Sequence, residues 1–298
     1  MSNADYEPAN AGVISESIYG LINPGSLAGD ITALLLVFLQ AVLINYYVME
    51  HKVCREVNLF AGLLYVLLGS AFPEFLHLSP ALIANTFIIL AIGQIWAIYQ
   101  RVSMADRIFN IGFWVAMASL CYFSSITLLL MGLLSLTILR VGNGKEYLML
   151  LFGFLTPYIL ACTWYFWQEK LGWFWGEEVL SNFAFWDIKI PMTTGNVVKL
   201  SIFGVLLLTI LVSYGSNLYK IKMEQQKKVK ILYWGLFALL LTLFVQTGID
   251  IHHLTLLMVP LSICMAMVFT NIPRNFSEML HAMLLMGVIV YQYIQFMV

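Results

Sequence analysis

Hydrophobic positions along the chain fall into long runs that short polar connections separate. A helix that crosses a bilayer needs roughly 20 predominantly apolar residues, within a range of about 17–25. By this criterion the pattern predicts about ten transmembrane helices. They lie at residues 28–49, 57–76, 80–99, 107–123, 125–140, 146–167, 197–219, 231–248, 254–270 and 279–297.

The least regular run is 107–140, which we interpret as two short helices that meet near the sequence CYFSS. A single helix of about 34 residues would be about 51 Å long at roughly 1.5 Å per residue. That length exceeds the hydrocarbon core of about 30 Å. The run therefore predicts two helices rather than one.

Composition agrees with this pattern. Hydrophobic residues make up 61% of the 298 residues, charged residues make up 10%, and the mean hydropathy is +0.87. Soluble domains have about 45–50% apolar and about 25% charged residues. We therefore predict an all-α polytopic membrane helix bundle, with a polar N-terminal tail at 1–27 and a single transmembrane domain at 28–298. Membrane lipids are expected partners, whereas a net charge of −1 argues against nucleic acid.

Basic residues are concentrated in alternate connections between the predicted spans. Twelve of the 15 Lys and Arg residues share this position: Lys52, Arg55, Arg101, Arg107, Arg140, Lys145, Lys220, Lys222, Lys227, Lys228, Lys230 and Arg274. The remaining three, Lys170, Lys189 and Lys199, belong to the opposite side. Cytoplasmic loops carry the excess of Lys and Arg, so these alternate connections are predicted to be cytoplasmic and both termini to face outward.

The longest connection, 168–196, is predicted on the outer side and is rich in aromatic residues. We predict an interfacial helix at 171–186, because aromatic residues gather at the headgroup level. Three phenylalanines are expected to face lipid: Phe174, Phe183 and Phe185. Three tryptophans would form either a membrane anchor or a lid over a lipid-substrate groove: Trp173, Trp175 and Trp186.

Acidic and histidine side chains gather on the same predicted outer side. Glu74 and His77 are three residues apart, and Asp250 and His253 repeat that spacing, with His252 between them. Residues at this spacing share one face of a helix. Each residue alone could simply cap a helix or meet water, and Asp30, which follows Gly29, is a candidate N-cap for the first span.

Together these residues form a candidate site. An acid beside a histidine fixes its tautomer and suits general-base catalysis. The candidate catalytic residues are Glu74, His77, Asp250, His252 and His253. Two histidines and two carboxylates would also suit a divalent metal, with His77, His253, Glu74 and Asp250 as candidate ligands. No P-loop or haem-attachment motif is present in the sequence.

Three stretches carry a family resemblance, and they read AFPEFLHLSPALIANTFIILAIGQIW, RIFNIGFWVAMASLCYF and GFLTPYILACTWYFW. They resemble an uncharacterised family of integral membrane proteins from Bacteroidota, over roughly residues 28 to 290. The resemblance implies a bacterial cytoplasmic (inner) membrane protein. The distribution of Lys and Arg then predicts that 220–230 is cytoplasmic and 168–196 is periplasmic. Members often begin with a further apolar helix, which would account for the outward N-terminus predicted here.

Members of this family are sometimes labelled beta-carotene cleaving monooxygenases. That chemistry would require an iron held by several histidines, and only His77, His252 and His253 can meet on one side, so the residues do not support the label. The arrangement also resembles multi-span glycosyltransferases that use polyprenyl-linked sugars and place an acid on the outer face between early helices. Glu74 and Asp30 are the candidates to match that acid.

Three functions follow as expectations. The first is a multi-pass subunit that scaffolds or assists an envelope-assembly complex with partner membrane proteins. The alternative is an enzyme that acts on a lipid-linked substrate at the outer leaflet. A transporter ranks third, because no predicted span carries a charge near its middle.

Overall fold

The computed structural model describes residues 10–54, 58–99, 104–139, 143–180, 182, 190, 193–219, 221–244, 248 and 250–297. These residues form helices joined by short turns, and none of them belongs to a β-strand. The predicted all-α class is therefore confirmed for this part of the chain.

Thirteen α-helices follow one another along the described chain. They are α1 (Val13–Tyr19), α2 (Leu27–Glu50), α3 (Phe60–Ser70), α4 (Pro80–Ala97), α5 (Ala105–Cys121), α6 (Leu128–Leu139), α7 (Gly144–Trp167), α8 (Leu171–Trp173), α9 (Thr194–Val212), α10 (Tyr214–Leu218), α11 (Met223–Leu241), α12 (Met258–Asn271) and α13 (Arg274–Met297). Short 3-10 turns occupy Pro73–Leu76, Phe123–Thr127, Thr242–Phe244 and Ile251–Leu257, and a π-helical turn occupies Phe174–Leu180.

Five of the described segments are long and apolar enough to cross a membrane: Leu27–Glu50, Pro80–Ala97, Gly144–Trp167, Gly195–Val212 and Ile251–Asn271. By their length and composition these segments fit a membrane protein, but they do not confirm ten crossings. Each of the ten predicted runs nevertheless overlaps at least one of the described helices. The run 107–140 is divided as expected, because the chain becomes extended at Tyr122 (φ −147°, ψ 106°) between α5 and α6.

Two segments form the centre of the bundle. In the most apolar 18-residue stretch of each segment, 78% of the residues of α4 and 89% of those of Ile251–Asn271 are buried. For α7 and α9 the corresponding share is 17%. The outer helices therefore present most of their apolar surface to the surroundings, as expected for helices that face lipid.

A buried polar network joins the central helices. Asn85 of α4 donates through its Nδ2 to the Tyr65 hydroxyl of α3 (3.2 Å) and to the Thr255 carbonyl (2.8 Å). Tyr65 in turn donates to Gln40 of α2 (2.5 Å), which itself donates to the Leu82 carbonyl (2.8 Å). Side-chain amides commonly join helices in membranes in this way.

The two ends of the bundle differ in charge. At one end, Lys228 and Gln225 of α11 donate to the carbonyls of His51 (2.9 Å) and Lys52 (2.6 Å), which follow α2. We call this the lysine end. The opposite end, called here the histidine end, carries Asp30, Glu74, His77, Lys199, Asp250 and His252.

The segment predicted as a polar tail contains α1, which lies at the histidine end. Ser15 is fully buried and donates to the Cys121 carbonyl at the end of α5 (2.9 Å). Tyr19 donates to the Leu78 carbonyl (3.2 Å). The N-terminal segment is thus fastened to the loop that carries His77.

The predicted interfacial helix is only partly described. Leu171–Trp173 and Phe174–Leu180 are helical, whereas Phe183, Phe185 and Trp186 lie outside the described residues. The prediction that Phe174 faces lipid is wrong, because this ring is fully buried and stacks on Tyr165 with centroids 5.3 Å apart. The aromatic contact with Tyr165 keeps the Phe174 ring inside the protein instead of exposed to lipid.

Candidate functional site

Glu74 lies on the 3-10 turn that follows α3. Pro73 begins this turn, and Phe72 and Phe75 on either side are 2% and 1% exposed. The two rings pack edge to face with centroids 5.5 Å apart, and this pair anchors the turn in the core. The carboxylate is thereby held at the surface of the bundle, with its side chain 38% exposed.

The partner of Glu74 is Lys199, in the first turns of α9. Its ammonium donates to Glu74 Oε1 and to Asn196 Oδ1 (3.3 Å). Lys199 is 3% exposed, so a cation is buried at the histidine end. The other carboxylate oxygen, Glu74 Oε2, is buried and has no hydrogen-bond partner among the described residues.

His77 pairs with Asp30 across the gap between α2 and the loop before α4. Its Nδ1 lies 2.9 Å from Asp30 Oδ1. The interpretation of Asp30 as a helix cap is wrong, because Ser26 caps α2 by accepting from the Gly29 amide (3.2 Å). Asp30 lies in the first turn, free of the capping role, and instead orients the His77 ring.

The second acid–histidine segment joins the same cluster through His252. Asp250 caps the Ile251–Leu257 turn by accepting from the Ile251 amide (2.6 Å). His252 interacts electrostatically with Asp250, Glu74, His77 and Lys199. Three separate parts of the chain therefore bring charged and imidazole groups to one place.

His253 lies elsewhere. It is 2% exposed, its Nδ1 lies 3.0 Å from the Tyr122 hydroxyl, and its Nε2 contacts the Thr242 hydroxyl. Both ring nitrogens are thus used to join the end of α5 to the turns around 242–244 and 251–257. His253 is therefore enclosed by these contacts, and its neighbour His252 is the histidine of this segment that lies in the cluster.

The predicted metal site has little support from this geometry. Among the described residues, no three His, Cys, Asp or Glu side chains are placed to hold one metal ion. The buried ammonium of Lys199 occupies the position beside Glu74 that a cation would take. The cluster thus holds one ammonium and two imidazoles together with the carboxylates of Asp30, Glu74 and Asp250, and the ammonium is already paired with Glu74.

An apolar groove leads away from the cluster along the bundle. Its volume is about 400 Å³, and it is lined by α3, α9, α12 and α13. Phe72 lines the groove and also lies 5.8 Å, from ring centroid to ammonium, from Lys199. Val198 and Ile202, which flank Lys199 on α9, line it as well. The polar cluster therefore stands directly at one end of the groove.

The tryptophans predicted as an anchor or a lid are exposed where they are described. Trp173 is 41% exposed and Trp175 is 46% exposed. The third, Trp186, lies outside the described residues. A lid over the groove therefore stays a prediction.

The sequence analysis did not predict Lys199 as a site residue. A signal existed, since Lys199 is one of three basic residues that depart from the alternating pattern and it stands within an apolar run. A charge at such a position is a functional candidate by default.

The chain was also compared with known proteins. No protein-family model, curated protein or solved structure matches it.

Proposed function

We propose that this protein is a membrane enzyme that acts on a lipid-linked substrate of the polyprenyl type, in a glycosyltransferase-like reaction at the outer leaflet. The observation that carries this proposal is the polar cluster at the end of an apolar groove. Such a site offers a place for a charged headgroup and, directly beneath it, a place for a hydrocarbon chain.

The proposal includes a topology. Ten crossings would place the lysine end in the cytoplasm and the histidine end outside, as the distribution of Lys and Arg favours. In a bacterial cytoplasmic membrane the cluster would then meet the periplasm. Lipid-linked sugars presented on that side would reach it from the outer leaflet.

The chemistry assigns a role to each group. A lipid diphosphate would bind beside the Lys199 ammonium and the His252 ring, and Glu74 Oε2 would accept the proton of an acceptor hydroxyl. The hydroxyl oxygen would then form a bond to the sugar carbon while the bond from that carbon to the phosphate breaks. The leaving diphosphate would keep the electron pair, and Lys199 would stabilise its charge. His77, held by Asp30, would orient the acceptor.

Native mass spectrometry of the purified protein tests the binding step. We expect a polyprenyl phosphate or diphosphate lipid to remain bound to the natural chain. Gly287 lines the groove and has no atom within 4 Å of the position a Cβ would take, so Gly287→Trp should fill the groove without disturbing the backbone. This variant should lose the lipid.

A matched control is available on α9. Gly204 also has open space at its Cβ position but does not line the groove, so Gly204→Trp should retain the lipid. Catalysis has its own test, because cells that carry Glu74→Gln should accumulate the lipid-linked substrate in their lipid extracts. Recovery of bulk phospholipids alone, in membrane proportions and from both variants, would refute the proposal.

A second candidate is the membrane subunit that assists an envelope complex. One observation favours it: aromatic side chains are widely exposed at the histidine end of α7, with Trp164, Phe166 and Trp167 58%, 71% and 83% exposed. Large exposed aromatic residues are frequent at protein interfaces. A partner protein that copurifies in stoichiometric amount, and is lost on Trp167→Ser, would favour this function over the enzyme.

A further inference from the structure

One face of α11, which starts at the lysine end, combines basic and aromatic side chains. Four residues lie on it: Lys227, Lys230, Trp234 and Phe237. They are separated by three, four and three positions, so they follow one another along a single face of the helix. Lys227 is half-buried and the other three are exposed, whereas most other residues from 227 to 241 are buried. We call this face the lysine–tryptophan stripe.

The two lysines of the stripe have no ion-pair partner in the described part of the chain. Glu224 is the only acidic residue of α11, and it is paired with Lys228. Lys227 instead lies over the Tyr99 ring, with 5.3 Å between the ammonium and the ring centroid. This cation–π contact positions the ammonium, but an aromatic ring has no net charge to neutralise it. The stripe therefore begins with two positive charges that an anionic partner could approach.

Two further lysines lie beside the start of the stripe. The side-chain amide of Gln225 donates to the Lys52 carbonyl (2.6 Å) and accepts from the Lys222 backbone amide (3.2 Å), which brings both residues to the beginning of α11. Residues 50–54 and 222–230 together carry five lysines and two glutamates. The excess of positive charge thus extends beyond the two lysines of the stripe itself.

The aromatic half of the stripe continues away from the lysine end. Trp234 and Phe237 are 42% and 47% exposed, and their rings pack edge to face with centroids 5.7 Å apart. At roughly 1.5 Å per residue, Trp234 lies about 6 Å and Phe237 about 10 Å deeper than Lys230. Tryptophan combines an apolar ring with a polar N–H group and is enriched where headgroups meet hydrocarbon.

The order of these groups distinguishes the stripe from a simple topology signal. Lysines that only fix the orientation of a helix need to be positively charged and nothing more. Here charge is followed on the same face by an indole and then by a purely apolar ring. A phospholipid has the matching order, because its phosphate is followed by glycerol esters and then by acyl chains.

We propose that the lysine–tryptophan stripe binds an anionic phospholipid of the surrounding bilayer. Its phosphate lies between Lys227 and Lys230, an ester oxygen accepts from the Trp234 indole, and an acyl chain runs along Phe237. A zwitterionic lipid is bound less well, because its own ammonium already neutralises its phosphate. The inference requires that the chain lies in a membrane, but it is independent of the proposed enzyme activity and shares no residue with the cluster at the histidine end.

Lipid retention in nanodiscs tests this inference. The full chain would be placed in equimolar phosphatidylglycerol and phosphatidylethanolamine with identical acyl chains, released, and measured by native mass spectrometry. We expect at least fivefold more retained phosphatidylglycerol than phosphatidylethanolamine. The first lipid has a net negative charge and the second has none, so the comparison isolates the charge of the headgroup.

Variants connect the preference to the stripe. Lys230→Gln should reduce the retained phosphatidylglycerol at least threefold. Lys145→Gln is the matched control, because it removes one charge from another exposed lysine at the same end and should change nothing. Trp234→Leu should also reduce retention, whereas Trp167→Leu, at an exposed position of the opposite end, should not. All four positions are exposed, and unchanged melting temperatures would verify that folding is intact.

Three outcomes would overturn the inference. One is equal retention of the two lipids by the natural chain. Another is an equal loss of phosphatidylglycerol in Lys230→Gln and Lys145→Gln, which would show a general attraction to basic residues instead of a site. The third is displacement of the lipid by soluble glycerol phosphate at equal concentration, which would identify a free phosphate rather than a lipid as the ligand.

Discussion

At the scale of the single residue, the ion pair between Glu74 and Lys199 determines what the histidine end can do. The two partners differ in environment, since Lys199 is 3% exposed while the Glu74 side chain is 38% exposed. Removal of one partner of a buried pair leaves an uncompensated charge, and the loss grows with the burial of the charge that remains. The pair is therefore expected to be asymmetric in its response to mutation.

Glu74→Gln should destabilise the protein more than Lys199→Met. The first change leaves a buried ammonium without a counter-charge, which we expect to cost about 2–4 kcal/mol, somewhat below the range for a fully buried pair. The second leaves a carboxylate whose side chain is 38% exposed, so the remaining charge is less buried. The double variant should be more stable than Glu74→Gln alone. Thermal unfolding of the four proteins in one detergent measures the difference.

Asp106→Asn shows how much stability is lost when an exposed ion pair is broken, and it is the reference for the Glu74 and Lys199 variants. Its carboxylate lies 3.9 Å from Arg107 Nε and its side chain is 68% exposed. Loss of such a pair costs about 0–1 kcal/mol.

Strictly additive effects of the Glu74 and Lys199 substitutions would show that the pair is not coupled and would remove the basis for the proposed role of Lys199.

The sequence indicated several residues of the cluster, but it did not indicate which residues pair with one another. Glu74, His77, Asp250 and His252 were predicted from polar side chains at the ends of apolar runs, and the structure groups them. The pairing was not predictable, because Glu74 meets Lys199 across 125 positions of sequence and Asp30 meets His77 across 47. Periodicity within one helix carries no information about such distant partners.

At the scale of the element, hydrophobic runs predicted where helices occur but not where each one ends. α11 begins at Met223, well before the predicted span at 231, because a Lys-rich turn of helix adds little hydrophobicity. The predicted span 57–76 is α3 followed by a 3-10 turn, since Pro73 interrupts the backbone hydrogen bonds of the helix. Helix ends depend on such local contacts, which a hydropathy pattern does not record.

The contact between α5 and α7 depends on two glycines. A Cβ at Gly112 would overlap the Leu150 carbonyl oxygen, and a Cβ at Gly153 would overlap the Phe109 carbonyl oxygen. Small residues allow this close approach of helix backbones in membranes. Gly112→Ala and Gly153→Ala should therefore each lower the stability by about 1–3 kcal/mol or prevent folding.

Gly204→Ala on α9 is the control for this crossing. Nothing lies within 4 Å of its Cβ position, so the methyl group meets open space. Alanine is favoured over glycine in a helix by about 1 kcal/mol, and the variant should be as stable as the natural chain or slightly more so. Equal melting temperatures for all three variants would contradict the close contact of α5 and α7.

The polar network of the central helices makes a further prediction. Asn85→Leu removes the donor to Tyr65 and to the Thr255 carbonyl, and should lower the stability by about 0.6–1.7 kcal/mol, the range found for such bonds in membranes. Asn275→Leu, at an exposed position of α13, is the control and should have no measurable effect. Unfolding in a detergent series distinguishes the two, and equal behaviour would show that the network does not hold the helices together.

At the scale of the whole molecule, the orientation in the membrane stays a prediction from the distribution of Lys and Arg along the chain. Basic residues in the connections stay on the cytoplasmic side during insertion, whereas acidic residues have little influence. The histidine end carries Lys199 and yet is proposed to face outward. This is consistent because Lys199 is buried against Glu74 and is not part of an exposed basic loop.

Cysteine labelling tests this orientation directly. Lys145 and Lys170 are both exposed and lie at opposite ends of α7, so each can be replaced by Cys without loss of packing. Cys162 would be changed to Ser in the same chain, while Cys54, Cys121 and Cys264 are buried and would stay. A membrane-impermeant maleimide should label Lys170→Cys in intact spheroplasts and Lys145→Cys only after permeabilisation. If the order is reversed, the cluster faces the cytoplasm and the outer-leaflet substrate is excluded. If both positions are labelled from one side, α7 does not cross the membrane, and the groove beside the cluster would no longer open to the outer leaflet.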